Sequence, residues 1–319
     1  MARRRKKKGG LAAALVCVLM AAAALARSGQ LDPLLEQLAL PVQGESASEQ
    51  TPAQPVDGLF EMVAIDVGQG DSFLLRTPEQ NVLIDAGESE YGSTVLETLE
   101  EYGVEQLDLV VVTHMHSDHM GGMAQVLEAV PAETVVMTEL TEDTTPTTRV
   151  YENLLTVLEQ SPDTAVEAAR PGEEYDLGSG VTLTVLGPVQ DYDDLNLTSV
   201  VCRVDAGERS FLFTGDMEKQ AEEDLLDAGA DLDADVLKVG HHGASTSSSE
   251  AFLEAVSPVC SVIPVGEGNS YGHPTAATLE RLTAWGPVYR TDLLGNIRIS
   301  TDGVSLWVES DRGDSEQLL

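Results

Sequence analysis

Cysteine is scarce here: the chain of 319 residues has three, which excludes a disulfide-dense scaffold and a cysteine-based zinc module. Basic residues are also few, 18 Lys and Arg against 54 Asp and Glu, for a formal net charge of −36. So negative a surface repels phosphates and excludes a protein that holds nucleic acid on a broad basic face. No short-period repeat runs through the chain, and its composition is neither collagen-like nor low-complexity. What the chain does have is apolar material: at 42% hydrophobic it can bury a core, which a disordered acidic chain cannot. The length suits one large domain or two small ones.

Acid is absent from residues 1–27. Six basic residues in MARRRKKK precede the uncharged run LAAALVCVLMAAAALA, which ends in the small-residue pattern Ala24-Leu25-Ala26. Residues 1–26 therefore read as an export signal, or as a retained signal anchor whose basic end stays inside. The apolar run is somewhat short of the roughly 20 residues a spanning helix needs. The expectation is a secreted protein, or one anchored in the membrane and facing outward, whose N-terminal segment engages the membrane or the export machinery. Residues 27–58, rich in Gln, Pro, Ser, Ala and Glu, read as a linker or stalk. A folded domain is expected over residues 59–310, followed by an acidic tail, 311–319. Cys202 and Cys260 sit in the apolar runs SVVCRV and PVCSVIPV and are expected to be buried free thiols.

Strand-like runs LFEMVAIDV, SFLLRT and NVLIDA come first, then the helix TVLETLEEYG and the strand LDLVVVTH. Helices GGMAQVLEAV and YENLLTVLEQ bracket the strand ETVVMTE, and VTLTVLGP follows as a strand. A second set opens with two strands in SVVCRVDAGERSFLFTGD. The helices MEKQAEEDLLDAG, SEAFLEAV and TAATLERLTAWG then alternate with the strands ADVLKVGHH, CSVIPV, PVYRTD, IRISTDG and SLWVES. Two similar halves, roughly 59–187 and 196–310, imply an α/β layered protein: two β-sheets face to face with helices outside, an αββα sandwich.

Histidine is the informative scarcity. All six fall in three clusters: THMHSDHMGG, GHHGAS and YGHP. In extended chain His114 and His116 point to the same side and can share one metal, while Asp118 and His119 follow as the chain turns toward a helix. Imidazole and carboxylate donors suit zinc, iron or manganese. Gly121 and Gly122 permit the turn.

The run HMHSDH resembles the His-x-His-x-Asp-His signature of the metallo-β-lactamase fold. AIDVGQGDSFLL, LIDAG, VVTHMHSDHMGG, NLTSVV, FLFTGD, ADVLKVGHHGASTS, YGHPTAATLERL and YRTDLLGNIRIS stand in the order found in the C-terminal hydrolase domain of ComEC-type competence proteins, which the chain resembles over about 250 residues. The expectation is that domain alone behind an export signal, with no channel region. The resemblance implies two divalent cations, Zn²⁺ or Mn²⁺. His114 and His116 would bind the first; Asp118 and His119 would bind the second; Asp216 would bridge them. One of His241 and His242 would complete the second site, with His242 favoured as ligand and His241 placed nearer substrate. Many superfamily members supply one more His before the bridging Asp, but no His stands between His119 and His241. That region offers Asn196 and Ser199 instead, and the first metal is left with an open position.

Around the ligands, Asp66, Asp71 and Asp85 are candidates to orient imidazoles, with a plain β-turn around Gly68 and Gly70 as the alternative. Lys238 would support the site or form an ion pair. His273 would touch a phosphate or deliver a proton, and Ser245 with its neighbours would bind phosphate or cap a helix. Asp118 would ligate metal or take the proton of the attacking water, and His241 or His273 would protonate the leaving oxygen. Two cations bridged by a carboxylate bring a bound water's pKa toward neutrality and clamp attacking and leaving groups. The expected activity is therefore a metal-dependent phosphodiesterase, including a nuclease acting on single-stranded DNA outside the cytoplasm. Arg203 with Arg209, or Arg290 with Arg298, could guide a strand. The alternatives are hydrolysis of carbonyl substrates (lactones, thioesters, β-lactams) and a noncatalytic surface module. Nothing in the sequence points to a partner protein.

Overall fold

The computed structural model describes residues 56, 58–141, 144–313 and 315–319. The expected export signal and nearly all of the expected stalk lie outside the described residues. In chain order the first elements are β1 (Phe60–Ala64), β2 (Phe73–Arg76), β3 (Asn81–Ile84), α1 (Gly92–Glu101), β4 (Leu107–Val112), α2 (Ser117–Met120), α3 (Met123–Ala129), β5 (Ala132–Met137) and α4 (Arg149–Gln160). Then come β6 (Ala165–Ala168), β7 (Glu174–Asp176), β8 (Val181–Gly187), β9 (Val201–Ala206), β10 (Arg209–Phe213), α5 (Lys219–Ala228), β11 (Val236–Lys238) and α6 (Glu250–Val256). The chain closes with β12 (Cys260–Ile263), α7 (Ala276–Thr283), β13 (Val288–Arg290), α8 (Thr291–Leu294), β14 (Ile297–Thr301), β15 (Leu306–Ser310) and β16 (Glu316–Gln317).

Among the described residues the strands form two mixed sheets, in the orders β16-β15-β14-β1-β2-β3-β4-β5-β6 and β13-β12-β11-β10-β9-β8-β7. The sequence of β4, LDLVVV, shows why they stack. Leu109 and Val111 face the layer between the sheets, while Val110 and Val112 face the helices, so both faces are apolar. β10 does the same, with Phe211 and Phe213 inward and Leu212 outward. Edge-on ring pairs join the sheets, Phe60 to Phe211 at 4.8 Å and Phe73 to Phe213 at 5.3 Å between centroids. Helices α1, α3 and α4 cover the outer face of the first sheet, and α5, α6 and α7 that of the second. This is the αββα sandwich the sequence implied. Cys202 and Cys260 are free and buried, and burial pushes both thiols up to about 12.

The boundary between the halves differs from the expected one. β14 pairs with β1, Phe60 opposite Thr301, and so belongs to the first sheet with β15 and β16. β7 and β8 belong to the second. Each half thus lends its last strands to the other's sheet, which locks the halves together. PVYRTD is a strand only to Arg290, and a helical turn follows. Residues 316–317, within the stretch read as an acidic tail, pair with β15. Among the described residues no helix is long and apolar enough to cross a membrane.

Candidate metal centre

The histidine motif lies just past the end of β4, and Asp216 just past β10, so both sit beyond the carboxyl ends of strands. His241 and His242 follow β11. His119 is fully buried, its Nδ1 2.7 Å from Asp85 Oδ2. Asp85 also accepts the Thr113 N–H at Oδ1 (2.8 Å) and the Thr113 hydroxyl at Oδ2 (2.6 Å). That carboxylate fixes the His119 ring and turns its Nε2 toward Asp216 Oδ1, 3.1 Å away. His242 is held in another way: Nδ1 lies 2.9 Å from the Pro264 carbonyl, which can only accept, so Nδ1 carries the proton. The His242 Nε2 then faces Asp118 Oδ2 at 3.4 Å and Asp216 Oδ1 at 3.5 Å.

Ligand atoms of Asp118, His119, Asp216 and His242 lie within 4.8 Å of one another. His119 Nε2, His242 Nε2 and Asp216 Oδ1 are buried with no hydrogen-bond partner among the described residues. Buried polar atoms left so are costly, and a divalent cation among them would satisfy all three. The donor set of two imidazole nitrogens and two carboxylates fits zinc or manganese. The other oxygen of Asp216 faces a second group. Oδ2 is 4.0 Å from His114 Nε2 and 3.7 Å from His241 Nε2, and His114 Nε2 is 3.0 Å from His116 Nδ1. Asp216 thus presents one oxygen to each of two imidazole groups, as a carboxylate bridging a dimetal site does.

Charge is balanced tightly here. Burial would raise the Asp216 carboxyl, but His119, His242 and Lys238 hold it well below the usual carboxylate range. Burial would lower His119, but Asp216, Asp71 and Asp85 hold it well above the ordinary imidazole value. Asp118 is likewise pulled down, against burial, by the neighbouring His242 and His119 imidazoles. Burial and the neighbouring His119 push His114 well below. Beneath the cluster Lys238 is fully buried, 2.5 Å from Asp71 Oδ2 and donating to the Gly215 carbonyl at 2.6 Å. Asp71 lies 3.7 Å from His119 Nδ1 and 3.4 Å from His242 Nδ1. The loop carrying Asp71 lies against the motif because Gly70, at φ 146°, has no side chain; a Cβ there would stand 2.3 Å from the Asp118 carbonyl oxygen.

Three expected residues take other roles. Asp66 accepts the Gly68 N–H and faces Arg312, so it builds a turn and touches no ligand. Ser199 is 2% exposed; its hydroxyl accepts the Asp216 N–H at 3.0 Å and sits 3.5 Å from His114 Nδ1, which positions those two and leaves nothing for substrate. Ser245 lines a separate surface cavity with Lys219 and Arg281, because the turn after Gly243 carries it away from the cleft. The cleft over the cluster is about 280 Å³ and is lined by His116, Asp118, Asn196, Asp216, His241, His242 and His273. Gln69, Glu88, Ser117 and Tyr271 complete the wall, and no Lys or Arg is among the lining residues.

Glu218, whose Oε1 lies 2.9 Å from His241 Nδ1 and 3.3 Å from Asn196 Nδ2, was hidden in the sequence as one acid of a helix full of them. Thr113, between β4 and His114, gave no signal either. Tyr271 stacks on His273, with centroids 5.8 Å apart. The four arginines expected to guide a strand are tied to acids: Arg203 to Asp205 and Asp231, Arg209 to Asp235, Arg290 to Asp292, and Arg298 to Glu61 and Glu309.

Sandwich, strand-end histidines and a two-faced aspartate together suggest a dimetal site. The chain belongs to the metallo-β-lactamase superfamily, whose family model matches residues 65–267. It is 35% identical over 238 residues to the competence protein ComA of Neisseria gonorrhoeae, covering 73% of this chain and 31% of that protein. It is 30% identical over 258 residues to ComE operon protein 3 of Bacillus subtilis, covering 75% of this chain and 32% of that protein. The chain thus spans about a third of the length of these relatives. Among solved structures, the metallo-β-lactamase fold protein YhfI of Bacillus subtilis superposes with a TM-score of 0.50 at 14% identity, over 78% of this chain and all of that one. CmlA of Streptomyces venezuelae, a diiron β-hydroxylase, does so at 0.51 and 15%, over 78% of this chain and 55% of that one. At such identities both likenesses concern the fold alone.

Proposed function

We propose that this chain is a metal-dependent phosphodiesterase that acts outside the cytoplasm, with short single-stranded DNA within its substrate range. The observation that carries the proposal is the division of Asp216, with Oδ1 toward His119 and His242 and Oδ2 toward His114 and His241. Two Zn²⁺ or Mn²⁺ ions held there would supply Lewis-acid activation of water and of a phosphoryl oxygen. Asp118, a quarter exposed at the cleft and held ionised, would ligate metal or receive the proton of the attacking water. His241 and His273 flank one side of the cleft, 5.4 Å apart between centroids. Burial and the nearby His241 push the His273 imidazole below its ordinary value, so near pH 7 it is neutral and suited to donate an N–H to a phosphate oxygen.

The acidic surface supports a short substrate footprint. With the cleft free of Lys and Arg, and Arg203 and Arg290 already paired to acids, attraction for a phosphodiester depends on the bound cations. The similarity to competence proteins supports DNA as a substrate, and the basic, then apolar, N-terminus of the sequence supports export or anchoring. The test is hydrolysis of bis-p-nitrophenyl phosphate and of single-stranded DNA by the full chain with added Mn²⁺ or Zn²⁺, with Asp118→Ala and His119→Ala as controls. Turnover of both substrates, lost in both variants, is expected. Turnover of lactone or thioester substrates alone would overturn the phosphodiesterase reading.

A further inference from the structure

We infer that His241, held by Glu218, is the third imidazole of the His114–His116 half of the centre, standing in for the histidine that the chain lacks between His119 and His241. The inference deepens the function proposed above and rests on it, since it assumes that two cations bind. Two of the buried imidazoles set the pattern: His119 and His242 each have Nδ1 tied to an oxygen of the protein and Nε2 turned to Asp216. His241 repeats it. Its Nδ1 lies 2.9 Å from Glu218 Oε1, and its Nε2 lies 3.7 Å from Asp216 Oδ2. That oxygen is the one facing His114 Nε2, and the one not turned toward His119 and His242. A carboxylate behind an imidazole fixes its tautomer and strengthens the outward nitrogen as a donor.

The backbone is bent to this end. His241 (φ 47°, ψ 47°) and His242 (φ 52°, ψ 25°) both adopt the left-handed conformation, which side-chain-bearing residues rarely take and almost never in succession. In this conformation one ring serves each oxygen of Asp216, with centroids 6.2 Å apart. Strain of this sort persists only where the surrounding structure over-determines it, and it clusters at functional sites. Asn196 gains a role as well: its Nδ2 donates to Glu218 Oε1 at 3.3 Å, so it positions the carboxylate that positions His241. The His241 side chain is 24% exposed, so a cation held by His114, His116, His241 and Asp216 would face the cleft with room for substrate.

The test is metal binding, read without substrate. Mn²⁺ and Zn²⁺ are titrated into the metal-free full chain by calorimetry, for wild type, His241→Gly, Glu218→Ala and His242→Ala. Glycine suits the left-handed position, so His241→Gly should fold, and circular dichroism checks it. Wild type is expected to show two binding steps. His241→Gly should weaken one of them at least about tenfold and leave the other, and free imidazole should restore it. Glu218→Ala should weaken that same step by about tenfold. His242→Ala should weaken the other. If both steps are unchanged in His241→Gly while hydrolysis falls, His241 acts on substrate and the inference is overturned, with the phosphodiesterase reading intact. If His241→Gly fails to fold, an unchanged pair of steps in Glu218→Ala overturns it equally. A wild-type chain that binds no metal sinks both readings.

Discussion

Replacing Asp85 with Asn tests the support of the centre without touching a ligand. Asp85 has φ 57°, a conformation Asn tolerates well, so the backbone should hold. Its carboxylate accepts three hydrogen bonds: Thr113 N–H at Oδ1, and the Thr113 hydroxyl and His119 Nδ1 at Oδ2. An amide offers one acceptor oxygen, and its NH₂ must face either the Thr113 N–H or His119 Nδ1. One buried donor then meets another donor, at a cost of about 1–3 kcal/mol. If the conflict falls on His119, the ring loses its anchor and the Asp118–His119–Asp216–His242 site should lose about 10–100-fold in metal affinity. That corresponds to about 1.4–2.7 kcal/mol. Competition against a chromophoric chelator measures the affinity, and urea unfolding of the metal-free chain measures the stability. The reasoning fails if Asp85→Asn binds metal as wild type does and unfolds at the same urea concentration.

Lys238→Met should destabilise the chain by about 3–5 kcal/mol, because it strips the buried Asp71 carboxylate of its nearest cation; adding Asp71→Leu should recover part of the loss, which denaturant curves of single and double variants would show. Gly70→Ala should unfold more readily and bind metal less well, since φ 146° and the Asp118 carbonyl both oppose a Cβ; thermal melts and a metal titration check it. His119 and His242 are raised above the ordinary imidazole value, so in the metal-free chain their contribution is complete below the unfolded-state pKa near 6.5 and is lost as pH rises through the folded values. The metal-free chain should therefore lose stability from neutral to alkaline pH, while metal affinity rises over the same range as the competing protons leave. Calorimetry in buffers of different ionisation enthalpy should show proton release on binding.

The layers were legible because core strands such as β4 and β10 concentrate apolar residues and helices such as α5 carry an apolar stripe. Strand partnership was not, because Phe60 and Thr301 pair across the length of the domain and nothing in either segment names the other. The short edge strands β6 (AVEA) and β7 (EYD) are largely exposed and lack an apolar signature. In the centre, clustering made the histidines conspicuous. Asp66 and Asp85 look alike in sequence, each an Asp directly after a strand-like run; only the fold sets Asp85 against Thr113 and His119 and turns Asp66 to Arg312. Glu218 could not be separated from the acidic residues around it until the fold placed it behind His241.

The central claim is that Asp216 bridges two cations. Electron paramagnetic resonance of the Mn²⁺-loaded full chain tests it directly, since two ions sharing a carboxylate couple magnetically. An exchange-coupled pair in wild type, replaced by isolated Mn²⁺ signals in Asp216→Ala, is the predicted result. Isolated, uncoupled Mn²⁺ in the saturated wild-type chain would contradict it.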